Sequence, residues 1–280
     1  LQDGQEYKQD VFHQPKVEAK FFNSKVTFEI PMSFTERQVK ESFSSAEQLN
    51  GFISMITTSI ENSMTVKLDA LIMRAINNMI AETIKADTTG IKAVNLLSGY
   101  NKETGNSLTA EKALKNVEFI RYASMVINLY TSRISRISKL FNVGGKERFT
   151  SADMLHTIML SDFKASADSY LQSNTFHNEF TALPNAEIVP YWQGTGVGYD
   201  FNSVSSIDVK IDSKTEVTKS GILAVMFDRD SLGVTNLDRR VTTNYNAKAE
   251  FYSNYYKFDA GYFNDLNENF IVFYVENPSA

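Results

Sequence analysis

The 280-residue sequence contains no cysteine. This absence excludes disulfide bonds, thiolate catalysis and cysteine-ligated metal, and it fits a reducing compartment. Histidine is scarce as well. None of the three histidines, His13, His156 and His177, has a second histidine or a carboxylate at metal-ligand spacing. We therefore predict structural or surface roles for the histidines and no metal site.

Basic residues are not in excess, and long apolar runs are missing. A net charge of −5 argues against a dedicated nucleic-acid binder, because such proteins neutralise phosphates with surplus lysine and arginine. No apolar run approaches the roughly 20 residues that a membrane span needs, and no signal peptide is visible. Because Leu1 is not an initiator methionine, we expect that the natural N-terminus has been removed. A hydrophobic content of 42% predicts a globular chain.

Glycine and proline are absent between Gly51 and Gly90, where the stretch "FISMITTSIENSMTVKLDALIMRAINNMIAETI" predicts one unbroken helix. We place it at about 45–85, a length of roughly 60 Å at 1.5 Å per residue. Ser44 and Glu47 fit a capping box at its start. Apolar residues recur every three or four positions and predict one continuous apolar stripe. They are Leu49, Phe52, Ile53, Ile56, Ile60, Met64, Leu68, Leu71, Ile72, Ile76, Met79 and Ile80.

The flanking sequence adds strands and shorter helices. Val26, Phe28 and Ile30 alternate with polar residues and predict a half-buried strand, either in a hairpin turning at Asn23-Ser24 or in one long bent strand. We predict a loop over 87–108, helices over 109–141 and about 151–173, and strands at "AEIVPYW", "SIDVKI", "GILAVMF" and "NENFIVFYV". Helices first and strands later are typical of an α+β fold.

Several short motifs suggest chemistry, but each has a better structural explanation. "GTGVG", from Gly194 to Gly198, is not followed by the helix of a dinucleotide site, so we expect a strand connection. Asp228 and Asp230 could bind a divalent cation, but a turn at a strand end is favoured. The tyrosines of "FYSNYYKFDAGYF" could stack on bases, but a strand that packs its rings is favoured. We predict no catalytic residue and no cofactor.

The order of these elements resembles the major capsid protein of tailed phages, which has the Hong Kong 97 fold. "AVNLLSGYN" matches the exit from the long spine helix of that family. "ERFTSADMLHTIMLSDFKASADSYL" resembles its strand–helix unit, and "NYNAKAEFYSNYYKFDAGYFNDLNENFIVFYV" resembles its final strands. The strings "FYSNYYKF" and "QDVFHQPKVEAKFF" are most similar to the short-tailed phi-29-like phages.

The resemblance implies an extended arm (E-loop) over 1–32, a P-domain over 33–95 and 240–280 that contains the spine helix, and an A-domain over 96–239. It implies a protein that assembles with copies of itself into an icosahedral or prolate shell enclosing phage DNA. Scaffolding and portal proteins and non-specifically packaged DNA are the other expected partners, and a membrane is not. The expected location is the virion, after assembly in the host cytoplasm.

The resemblance also suggests which residues contact neighbouring subunits: Phe12, Val17, Phe21, Phe22, Phe28, Gln193, Gly194 and Gly196. One alternative keeps the fold and makes the protein an encapsulin-type shell of a bacterial compartment. A second alternative is a soluble enzyme that uses Asp228, Asp230 and His156. A third is a monomeric ligand-binding module.

Overall fold

The structure, a computed structural model, describes residue 3 and residues 19–37, 45–173, 183–194 and 198–277. Its longest element is helix α1 (Ala46–Ala86), which confirms the predicted unbroken helix with 41 residues. The N-cap is Ser45, whose hydroxyl accepts the backbone N–H of Gln48 at 3.3 Å. The predicted capping box is therefore wrong by one residue, and Ser44 itself lies outside the described residues.

The other elements follow along the chain. The helices are α2 (Leu96–Thr104), α3 (Ala110–Ala113), α4 (Val117–Ile134), α5 (Ser161–Ser173) and α6 (Phe201–Val204). The strands are β1 (Lys25–Thr35), β2 (Ala93–Asn95), β3 (Leu155–Leu160), β4 (Glu187–Val189), β5 (Ile207–Lys210), β6 (Glu216–Lys219), β7 (Ile222–Asp228), β8 (Leu232–Asn246), β9 (Phe251–Asn264) and β10 (Phe270–Tyr274). A 3₁₀ turn (Arg229–Ser231) joins β7 to β8.

A five-stranded sheet forms the centre of the fold, in the order β2-β10-β7-β3-β4. All seven residues of β7 are buried, as expected for a central strand that is covered on both faces. One face packs against α2, α4 and α5. The other face packs against the C-terminal half of α1, Trp192 and the β5–β6 hairpin. The strands predicted in "AEIVPYW", "SIDVKI", "GILAVMF" and "NENFIVFYV" are confirmed as β4, β5, β7 and β10.

A three-stranded antiparallel sheet, in the order β1-β9-β8, packs against the N-terminal half of α1. The side chains of β1 alternate between exposed and half-buried, which confirms the period-two prediction. Within the described residues, 19–24 are not in a strand. The structure therefore shows neither the hairpin at Asn23-Ser24 nor a single long strand in this part.

The apolar stripe of α1 is only partly buried. Ile60 and Met64 contact the three-stranded sheet, whereas Ile53 and Ile72 are exposed. From Ala75 to Ile84 every residue of the helix is buried or half-buried, because the five-stranded sheet and the residues around Trp192 enclose this end. The last turns of α1 are thus enclosed, whereas the turns before Ala75 have one buried side.

Three predicted segments are wrong. The loop over 87–108 contains β2 and α2, because the carboxylate of Asp87 accepts backbone N–H groups up to Ala93 and directs the chain to β10. The helix over 109–141 is interrupted before α4, where Asn116 caps the N–H of Phe119. It ends at Ile134, whose carbonyl accepts the N–H of Thr150.

The third wrong segment is the helix predicted over 151–173. Residues 155–160 form β3, which pairs with both β4 and β7, and α5 begins only at Ser161. His156 is therefore in a strand and not in a helix. The strand–helix unit implied by the capsid resemblance is the arrangement that the structure has.

Candidate assembly surfaces

The residues that suggested catalysis or metal binding have structural partners. A carboxylate oxygen of Asp228 accepts the N–H of Asp230 at 3.0 Å and caps the 3₁₀ turn after β7, as the favoured interpretation predicts. His156 lies 3.1 Å from a carboxylate oxygen of Glu187 on the adjacent strand. Across the described ranges, no group of three or more metal-ligating side chains could hold a metal ion. None of the described helices is both long enough and apolar enough to span a membrane.

Aromatic side chains stand on the surface just before β1. Phe21 is 91% exposed, and Phe22 is 42% exposed although its ring lies 5.0 Å from that of Phe263. Lys20 pairs with Asp265 at 2.9 Å and also lies over the ring of Phe22. These contacts hold residues 20–22 against the end of β9 and leave the ring of Phe21 in solvent.

Gly233 in β8 makes this arrangement possible. A Cβ atom at this position would lie 2.5 Å from the ring of Phe263, closer than atoms can approach. The absence of a side chain therefore leaves room for the Phe263 ring against β8, where it also contacts Phe22.

Phe28, the next candidate contact residue, is half-buried in its own subunit. Its ring stacks on Phe258 at 5.0 Å, and the ammonium group of Lys67 lies 5.4 Å from its centre. Phe28 therefore packs β1 against α1. Two further candidates, Phe12 and Val17, lie outside the described residues.

A groove of about 240 Å³ runs between α1 and β8, and we call it the α1–β8 groove. Its apolar lining is Ile60, Met64, Val241, Tyr256 and Phe258. Among the described residues no strand pairs with the outer edge of β8, and most of this strand is exposed. A long unpaired edge beside an apolar groove can accept another chain, and in an isolated subunit it favours aggregation.

Gln193 and Gly194 lie beside a second cleft, of about 680 Å³, between the middle of α1 and the β5–β6 hairpin. The side-chain oxygen of Gln193 accepts the N–H of Asp208 at 2.7 Å and fixes this loop to β5. After the described Gly198, Asp200 caps the single-turn helix α6, so no long helix follows "GTGVG". Gly196 lies outside the described residues.

The sequence matches the Phi29-like phage major capsid protein family over residues 1–274. The chain belongs to that family. Members of this family are structural proteins of the phage capsid, so the protein is a virion component. No curated protein matches the sequence. Neither the encapsulin alternative nor the enzyme alternative gains support from these matches.

Solved phage capsid structures share the fold of this capsid protein. A chain in the capsid structure of Staphylococcus phage Andhra is 10% identical, with a TM-score of 0.51 and coverage of 90% of this chain and 70% of that chain. A chain in the structure of the head fiber and inner core protein gp22 of native bacteriophage P68 is 10% identical, with a TM-score of 0.55 and coverage of 90% and 71%. At this identity the likeness concerns the fold alone, and it confirms the predicted α+β fold of the Hong Kong 97 type.

An ion pair on the other face of the three-stranded sheet has no signal in the sequence. Asp259 of β9 accepts hydrogen bonds from the Arg240 guanidinium at 2.9 and 3.3 Å and from the hydroxyl of Thr27 at 2.6 Å. These donors, Arg240 first, lower the pKa of Asp259 from 3.8 to about 2. Asp259 thereby joins all three strands, since Thr27 is on β1 and Arg240 is on β8.

We predict that Asp259→Asn makes the capsid protein less sensitive to acid. Because the folded pKa of about 2 lies below the ordinary 3.8, the ionised carboxylate stabilises the fold above pH 4. That contribution is lost as the pH falls through 2. The difference in thermal midpoint between wild type and D259N should therefore be largest near pH 6 and shrink from pH 4 to pH 2. A difference that stays constant over this range would contradict the prediction.

Proposed function

We propose that this capsid protein assembles with copies of itself into a closed icosahedral or prolate shell that encloses phage DNA. The observation that carries the proposal is the family match over residues 1–274 of the chain. The exposed features of the subunit support it: the free edge of β8, the α1–β8 groove and the solvent-exposed ring of Phe21. Surfaces of this kind are stable in water when a neighbouring subunit covers them.

The arm, residues 1–32, is the part that we assign to contact with a neighbour. It carries the candidates Phe12, Val17, Phe21, Phe22 and Phe28. Because Phe28 packs in its own subunit, the part of the arm before β1 is the part that would lie over the α1 helix of the adjacent subunit. The α1–β8 groove offers an apolar site of suitable character for one of these rings. Such a contact buries several hundred Å². Each contact of this kind is weak, but many of them together stabilise a closed shell.

The same proposal divides the rest of the chain into two domains. Residues 33–95 and 240–280 form the P-domain, and residues 96–239 form the A-domain. The segment 193–203, which holds Gln193, Gly194 and Gly196, is the part that we assign to the centre of a ring of subunits. Such ring contacts are heterologous, because each subunit offers two different surfaces to its two neighbours.

The protein acts as a structural component and not as an enzyme. Its expected partners besides itself are scaffolding and portal proteins, and assembly takes place in the host cytoplasm. The DNA is enclosed without sequence recognition. A net charge of −5 supports this, since an acidic wall does not bind packaged DNA tightly.

The test is electron microscopy of the intact gene product, expressed with its scaffolding protein where the phage encodes one. We expect closed particles in negative stain. A protein that stays monomeric under all such conditions would overturn the proposal.

The arm contact is tested by Phe21→Ser, which removes a ring that is 91% exposed in the part of the subunit that the structure describes. We expect fewer closed particles at an unchanged thermal midpoint. Ile188→Ser, a change of an exposed residue on the edge strand β4, is the matched control and should leave the particle yield unchanged. An F21S yield equal to that of wild type would exclude Phe21 from the contact.

A further inference from the structure

One stretch of this acidic chain is strongly basic. Residues 117–149 contain six lysines and arginines and two glutamates, a net charge of +4. The whole chain carries −5, so the other residues together carry −9. The basic residues of the stretch are Arg121, Arg133, Arg136, Lys139, Lys146 and Arg148.

The same stretch exposes large apolar side chains. On α4, Met125 and Leu129 are one helical turn apart, and both point into solvent. After α4, an antiparallel bridge between Ser138 and Arg148 brings Ile137 opposite Phe149. Ile137 is 71% exposed and Phe149 is 57% exposed. We call this surface, the outward side of α4 with Ile137 and Phe149, the basic apolar face.

The fold itself does not need the basic apolar face. The buried side of α4 supplies its packing, through Phe119, Ile120, Ala123, Ile127, Tyr130 and Ile134. In addition, α4 lies between α2 and α5 in the helical layer on the five-stranded sheet. Its outward side is therefore the side that faces away from the sheet.

We propose that the basic apolar face binds an acidic amphipathic helix of a different protein. A helix laid along α4, which is about 27 Å long, would pack its apolar stripe on Met125 and Leu129. Its flanking carboxylates would pair with Arg133 and Arg136, and its end would reach Ile137 and Phe149. This inference goes beyond the proposed shell and does not depend on it.

Charge complementarity favours this occupant over DNA. Three of the cations are already paired with carboxylates: Arg121 with Glu118 at 3.1 Å, Lys139 with Glu147 at 3.2 Å and Arg148 with Glu268 at 2.8 Å. Phosphate binding requires closely spaced free cations, and here exposed methionine, leucine, isoleucine and phenylalanine side chains separate them. A partner with both carboxylates and apolar side chains matches both properties of the face.

The test measures binding of a labelled peptide to the full chain by fluorescence anisotropy. The probe is a helical peptide of about 18 residues with leucines at helical spacing and glutamates elsewhere. We expect saturable binding that weakens about tenfold in Arg133→Glu/Arg136→Glu, since charge reversal adds repulsion, and about tenfold in Met125→Ser/Leu129→Ser. The thermal midpoints of both variants should match that of wild type, because all four side chains are exposed.

The matched control is Lys210→Glu/Lys214→Glu, which makes the same charge change on the β5–β6 hairpin, beyond the other face of the sheet. It should bind within about twofold of wild type. Equal peptide binding by all variants would overturn the proposal. So would tighter binding of duplex DNA that is lost in R133E/R136E and kept in M125S/L129S. Self-association of the wild type that both face variants abolish would assign the face to a second copy instead.

Discussion

Trp192→Ala is expected to lower the free energy of unfolding by about 3–5 kcal/mol, the range typical of deleting a large buried aromatic ring. The ring is 1% exposed and fills the space between α1 and the five-stranded sheet. Its indole N–H donates to the carbonyl of Ile222 at 2.9 Å, so the truncation also leaves that buried oxygen without its partner. Urea unfolding followed by circular dichroism measures the loss.

Trp192→Phe separates packing from hydrogen bonding at this site. It keeps most of the apolar volume and loses only the indole N–H, so we expect a smaller loss of about 1–3 kcal/mol. In the wild type the fluorescence of this residue, the sole tryptophan, reports unfolding directly. A W192A protein as stable as wild type would show that α1 is held to the sheet by other contacts.

The long helix and the buried strands were predictable because their patterns are local. No glycine or proline follows Gly51 in α1, and β7 and β10 are short, continuous apolar runs bounded by polar residues. The alternation in β1 arises from one covered face and one open face, and this too is visible in the sequence.

The segment of β3 was not predictable from its own residues. "LHTIML" is apolar enough for either a strand or a buried helix, and a short apolar run does not distinguish the two. The partners decide: β4 and β7 accept its backbone hydrogen bonds from both sides. Because β4 and β7 are distant in the sequence, a local pattern carries no information about this pairing. Only the resemblance to capsid proteins suggested a strand here.

The polar interactions of the candidate surfaces could not be predicted from the sequence either. Asp259, Arg240 and Thr27 meet because three strands align, although Thr27 is 232 residues from Asp259 in the chain. Phe21 and Phe22 were named as contact candidates from the sequence. The difference between them, one ring free and the other on Phe263, follows from the position of Gly233 across the sheet.

The other change with a large expected effect is Thr65→Pro in the middle of α1. Thr65 is exposed, so its side chain contributes little to packing. Proline at this position removes the N–H that bonds to the carbonyl of Glu61, and its ring collides with that carbonyl, at a cost of about 3 kcal/mol or more. We expect hydrogen exchange to increase over residues 46–64 and closed particles to be lost.

A kink at position 65 should affect the long helix and leave the five-stranded sheet intact. The C-terminal half of α1 contacts the five-stranded sheet through Ile76, Met79 and Ile80, all beyond the break, so β7 and β10 should keep their exchange protection. The N-terminal half contacts the three-stranded sheet through Ile60 and Met64, which a kink would move away from Phe258. Thr65→Ala should change stability by less than about 0.5 kcal/mol and leave the particles intact. Normal particles from T65P would mean that a continuous α1 is not needed to connect the two sheets in the shell.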